Sequence, residues 1–194
     1  MNRPGKTTDL PVVLNHIFLL AMLAVIAAIL TGAMTLQFVY GELPCPLCLL
    51  ERVALFGVCF GIILNFRHGF SYRNTGLSLL FAILLLIVSV RQTLIDIYPR
   101  PGHAYIGSAV FGLHMPVWSI LIAVAILTAY AVKLIVLGND DHLAKSEIAR
   151  MPLLSRAATI LGLYVIALCA INLFAVFLQC GFGECHTDGY ALFR

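Results

Sequence analysis

The sequence predicts an all-α, polytopic membrane protein of one domain, and three observations carry that prediction. Hydrophobic residues make up 61% of the 194 residues and charged residues 11%, whereas a soluble domain is about half apolar and roughly a quarter charged. Mean hydropathy is +1.00. Five stretches reach the ~20 mostly apolar residues that a membrane span needs: Val12–Leu36, Leu47–Phe66, Leu77–Ile97, Val117–Leu137 and Leu153–Leu178. The net charge of +3 is spread thinly. It forms no basic face for nucleic acid, and the bilayer is the expected surrounding.

Each element follows in order. A short polar lead-in, Lys6–Pro11, precedes the first span. Arg3 and Lys6 before it suggest a signal peptide, but the span exceeds the roughly 7–15 apolar residues of a signal core and reads as a retained helix. Gly41–Pro44 is an outer turn, and Pro46 suits the first turn of the second helix, where a missing N–H costs nothing. Asn65–Asn74 reads as a short basic inner loop. Tyr98–Pro116 is the longest outer loop, Gly-rich yet apolar, and is expected to lie on the membrane surface. Residues 138–152 form a charged inner linker to the fifth helix, and 179–194 a Gly-rich outer tail. The chain carries no internal repeat and no low-complexity tract.

Orientation follows from Lys and Arg in the short loops. With the N-terminus in the cytoplasm, the inside segments hold Arg3, Lys6, Arg67, Arg73, Lys133, Lys145, Arg150 and Arg156, and the outside segments only Arg100 and Arg194. The expected location is a bacterial inner membrane, with the C-terminus in the periplasm. Cys45, Cys48, Cys180 and Cys185 then lie at the outer surface, in a compartment that permits disulfides. Cys59 and Cys169 fall inside spans and read as small apolar packing residues.

Cys45-Pro46-Leu47-Cys48 at a helix start is a reactive arrangement. The helix N-terminus offers unpaired N–H groups and partial positive charge, and both favour the nucleophilic thiolate. Arg52 lies one turn further in on the same face. A charge at that depth in a span is costly and usually functional. Haem attachment needs His after the second Cys, and Leu49 stands there. A structural zinc site needs four ligands, and no second well-spaced pair is evident. A structural disulfide is the plain alternative to a redox pair.

The run Leu43-Pro44-Cys45-Pro46-Leu47-Cys48-Leu49-Leu50-Glu51-Arg52, with its Pro-Cys-x-x-Cys-x-x-x-Arg pattern, resembles the disulfide bond formation protein B (DsbB) family. Ile97-Tyr98-Pro99 and Gly112-Leu113-His114-Met115-Pro116-Val117-Trp118 are further matches. The resemblance covers roughly the first 137 residues and implies a four-helix bundle core over 12–137, with the fifth helix (153–178) as an addition. It also implies a function: reoxidation of a periplasmic DsbA-like thiol oxidase, with electrons passed to ubiquinone or menaquinone of the membrane quinone pool. This is the known relay that keeps the bacterial periplasm oxidising. By the same resemblance Cys48 faces the quinone, Cys45 exchanges with other thiols, and Arg52 contacts the quinone.

The chain departs from the pattern in one respect. Family members carry a second cysteine pair in the outer loop between helices three and four, whereas Tyr98–Pro116 has none. Cys180-Gly181-Phe182-Gly183-Glu184-Cys185, after the added fifth helix, is expected to replace it, with the two glycines permitting a tight turn. A fixed staple is the alternative. For the quinone, Arg91, Gln92 and His114 join Arg52 as candidate contacts. Arg91 and Gln92 lie about 8–9 Å below the end of helix three at 1.5 Å per residue. Against this, Gln92 reads equally as a partner of Asp96, Arg91 as a side chain snorkelling outward, and His114 as an interfacial histidine. Trp118 and Tyr98 suit an aromatic belt, His103 and His186 read as solvated, and Asn172 as an interhelical hydrogen-bond contact.

Two other functions fit parts of this pattern. A vitamin K epoxide reductase-like enzyme also joins a Cys-x-x-Cys to a quinone. A copper-handling membrane subunit would use Cys180, Cys185, His186, His114 and Met115 as soft ligands.

Overall fold

The computed structural model describes residues 10–98, 109, 111–137, 151–181, 183 and 185. They form five helices: α1 (Leu10–Phe38), α2 (Pro46–His68), α3 (Tyr72–Ile97), α4 (Met115–Leu137) and α5 (Pro152–Cys180). All five are long and apolar enough to cross a membrane, and the fold is the all-α polytopic one that composition predicts. Most of the Tyr98–Pro116 loop, of the inner linker, of the N-terminal lead-in and of the tail lies outside the described residues, as do Arg100, His103 and His186.

The observed helices exceed the predicted spans most at α3, which starts at Tyr72 rather than Leu77. Ser71 is its N-cap and its side chain accepts from the Arg73 N–H at 3.2 Å, a standard way of satisfying an orphan helix donor. The expected ten-residue inner loop is therefore only Gly69–Ser71. Asn65 closes this hairpin: its Oδ1 accepts from the Ser71 N–H at 3.0 Å and its Nδ2 donates to Thr75 Oγ1 at 3.3 Å. Polar residues that suggested a loop are instead the first turn of a helix and its stitching.

Helices α1 to α4 pack as a ring, each touching its neighbours, and α5 lies in the groove between α1 and α2. The α2–α3 contact is the closest. Gly57 and Gly61 sit one turn apart, and a Cβ at Gly57 would collide with the Phe81 ring, one at Gly61 with Ser78. The small-xxx-small spacing lets the backbones approach, and lipid-embedded helices associate through such packing and through hydrogen bonds. Ser78 Oγ duly donates to the Val58 carbonyl at 3.0 Å. The core joins Leu23 and Ile26 of α1, Val58 and Ile62 of α2, Leu85 of α3, Ile126 of α4 and Val165 of α5. Leu80 and Ile87 on α3 and Leu163, Leu173 and Phe174 on α5 face outward, as they do where lipid is the solvent.

Because the helices alternate in direction, the start of α2 and the ends of α1, α3 and α5 share one end of the bundle. Both cysteine pairs are there.

Candidate redox site

Cys45 is the N-cap of α2, with extended backbone (φ −69°, ψ 161°), and Pro46 follows as a first-turn residue. The Cys48 N–H donates to Cys45 Sγ at 3.0 Å. A free helix donor thus points at that sulfur and stabilises negative charge on it. Cys45 and Cys48 form a disulfide with Cα atoms 5.0 Å apart. Gln92 reaches across from α3, its Nε2 donating to Cys45 Sγ at 3.3 Å and to Cys48 Sγ at 3.4 Å. Cys45, expected to exchange with other thiols, is buried, and Cys48 is half-buried.

Arg52 lies one turn below, 8% exposed. Nη1 donates to Gln37 Oε1 at 2.6 Å, and more weakly to Met34 Sδ and Asn172 Oδ1, each at 3.4 Å; Nη2 donates to the Ala33 carbonyl at 3.0 Å. The guanidinium is therefore fixed by α1 and α5 together. Its Nε–H makes no hydrogen bond among the described residues.

Cysteines and arginine open onto one cavity of about 690 Å³. Its walls are chiefly apolar, including Ile29, Leu55, Leu85, Trp118 and Ile122, with Cys45, Cys48, Arg52 and Glu51 as reactive or charged members. Glu51 Oε2 accepts from Ser119 Oγ of α4 at 2.8 Å. Its Oε1 is buried with no hydrogen-bond partner among the described residues. The cavity combines a cysteine pair, a preset cation and a carboxyl group in an otherwise apolar slot. That set can move electrons and protons to a flat, weakly polar acceptor.

Not every predicted residue joins it. Arg91 is exposed on another face of α3, beside Ile87, Val90, Leu94 and Tyr98. Successive helical residues are about 100° apart, so Arg91 and Gln92 cannot both face the sulfurs. His114 stands before α4, its carbonyl accepting from the Val117 and Trp118 N–H groups at 3.0 and 3.4 Å. It does not line the cavity, although Phe111 and Met115 do. Cys180 and Cys185 form a second disulfide, with Cα atoms 4.2 Å apart, just beyond the end of α5, where Gly181 turns the chain at φ 57°. Cys59 is buried in the core as expected, whereas Cys169 is exposed on α5.

Gln37, Glu51, Ser119 and Gln179 were not singled out in the sequence. Gln37 and Glu51 carried a readable signal, since each is a polar group within or at the end of an apolar run, the reasoning that marked Arg52. Ser119 had none.

Comparison with known proteins bears on the same region. Residues 15–104, which hold most of α1, all of α2 and α3, the first cysteine pair, Arg52 and Gln92, match the family profile described as DsbB: Disulfide bond formation protein DsbB. Over this stretch the chain is similar to the DsbB family. It is 31% identical over 84 residues to Disulfide bond formation protein B of Aromatoleum aromaticum, an overlap of 41% of this chain and 51% of that protein. The chain thus spans about half the length of the curated relative it matches. No solved structure matches it significantly. By its five long apolar helices this chain is a multi-pass membrane protein, and α4, α5 and the second disulfide lie beyond the matched residues.

Proposed function

We propose that this protein is a membrane thiol oxidoreductase that forms disulfides in a soluble DsbA-like partner and delivers the electrons to ubiquinone or menaquinone. The observation that carries the reading is the Cys45–Cys48 disulfide opening onto an apolar cavity that also holds Arg52. A volume near 690 Å³ lies within the roughly 300–1,000 Å³ of small-molecule sites, and the donor set suits a quinone ring. Arg52 has an N–H left to hold a carbonyl oxygen, and Glu51 places a carboxyl group that can exchange a proton at the wall. When bound, the quinone supplies a two-electron, two-proton acceptor for the Cys45–Cys48 dithiol.

The chain's own residues account for the remaining steps. A partner thiolate attacks an outer disulfide and forms a mixed disulfide, which the partner's second thiolate resolves. Cys180–Cys185 is the relay that receives these electrons and passes them to Cys45–Cys48. Gln92 and the Cys48 N–H stabilise the sulfurs as thiolates. The apolar walls keep water from the reacting groups, which strengthens the Arg52 charge.

Purified protein in lipid nanodiscs, given a reduced DsbA-like protein and a soluble ubiquinone analogue, should bleach the quinone absorbance as the partner is oxidised. Cys45→Ala and Cys48→Ala should each abolish this. Full turnover in either variant would overturn the reading. Unchanged turnover in a Cys180→Ala/Cys185→Ala protein would remove the relay.

A further inference from the structure

The fifth helix reaches into the redox site at two points. Asn172 accepts from Arg52, as described above. About two turns of helix later, Gln179 Nε2 donates to the Pro44 carbonyl at 2.8 Å. That carbonyl belongs to the peptide bond joining Pro44 to Cys45. Gln179 is itself followed by Cys180. A single side-chain hydrogen bond thus links the residue before one redox cysteine to the residue before the other. The contact is dry: Gln179 is 0% exposed, and Cys45 and Cys180 are 7% exposed each. Pro44 precedes α2, so helix formation does not satisfy its carbonyl. The side chain from α5 does.

We propose that Gln179 is a positioning residue that holds the Cys180–Cys185 pair against Cys45, so that electrons cross between the two disulfides inside one chain. The inference rests on the reading of Cys45–Cys48 as a redox pair and names what aligns the relay. Cys185 is less buried than Cys180, so an outside thiolate meets Cys185 first. Once Cys180–Cys185 is reduced, the Cys180 thiolate attacks Cys45 Sγ. The Cys45–Cys48 bond breaks, a Cys45–Cys180 bond forms, and Cys48 leaves as a thiolate. The Cys185 thiolate then attacks Cys180 Sγ and releases Cys45. The outer pair is oxidised, the inner pair reduced, and two thiol protons are transferred with the electrons. In-line attack demands tight alignment of three sulfurs, which is what a buried hydrogen bond from the side chain beside Cys180 to the carbonyl beside Cys45 provides.

Two measurements on the full chain in nanodiscs test this. In a Cys48→Ala/Cys185→Ala protein, mild oxidation should produce a Cys45–Cys180 disulfide, identified by peptide mass spectrometry. Its absence would overturn the proposal, and this readout needs no quinone. The second measurement uses Gln179→Met, which keeps length and volume but removes the donor. The rate of quinone reduction driven by a protein dithiol, divided by the rate driven by dithiothreitol, should fall about tenfold, since small misalignments commonly cost that much or more. A merely structural role would lower both rates together and leave the ratio unchanged, which would also overturn the proposal. Wild-type protein that reduces no quinone would instead defeat the proposed function, and the Cys45–Cys180 bond would still decide the inference.

Discussion

At the scale of single residues, Arg52 and Glu51 divide the work of the cavity. Arg52 is a charge in an apolar surround, and its four acceptors come from α1 and α5. Hydrogen bonds to charged groups are worth roughly 1.5–3 kcal/mol each, so its orientation is set before any ligand arrives. Lysine keeps the charge but lacks the planar fork. Arg52→Lys should therefore raise the KM for quinone about tenfold while the protein still folds, as steady-state kinetics against quinone concentration would measure. An unchanged KM would mean that Arg52 serves the fold alone. Glu51 is different, because Ser119 holds one carboxyl oxygen and the other has no hydrogen-bond partner among the described residues. Glu51→Gln preserves shape and removes the exchangeable proton. It should slow quinone reduction by about 10²-fold, as loss of a proton-transferring group does, and leave dithiol exchange at the cysteines unchanged in a quench-flow assay.

At the scale of elements, α2 is the helix on which the site depends. Its first turn carries the disulfide, its second carries Glu51 and Arg52, and its middle is pressed against α3 through Gly57 and Gly61. That contact brings Gln92 to the sulfurs. Gly61→Val would push side-chain carbons into Ser78 and the Asn74 carbonyl. Overpacking of this kind costs typically 1–3 kcal/mol. The expected result is a lower melting temperature in detergent, together with weaker quinone turnover because α3 no longer delivers Gln92 in register. Gly76, with open space around its Cα, is the control: Gly76→Ala should leave both properties near wild type. Equal effects of the two substitutions would show that the α2–α3 approach is not what positions the site.

At the scale of the whole molecule, the two disulfides share one end of the bundle and Arg67, Arg73, Lys133 and Arg156 lie at or near the other. The excess of positive charge predicts that the second end faces the cytoplasm. In spheroplasts treated with reductant, a membrane-impermeant maleimide should label Cys185, while a cysteine placed at Gly69 should label only after lysis. The reverse pattern would invert the topology and place the thiol chemistry in a reducing compartment, where a disulfide-forming activity has no use.

The sequence by itself determined the fold class and located the cysteine pair at the start of α2. Five long apolar runs leave a chain in lipid few options, because every backbone polar group must be satisfied within its own helix. A Cys-x-x-Cys beside Pro46 at the mouth of one run, with Arg52 a turn below, is a local pattern, so it is legible without tertiary contacts. Helix ends were less legible, as α3 shows, because a polar first turn at the membrane surface resembles a loop. The tertiary structure decided the partners. Arg91 and Gln92 are adjacent and equally polar, and only the docking of α3 on α2 selects Gln92. Nothing local joins Asn172 or Gln179 to residues 120 and 135 positions earlier; that link exists because α5 settles in the groove between α1 and α2. Contacts between distant segments depend on how the helices pack, and packing is a property of the assembled bundle.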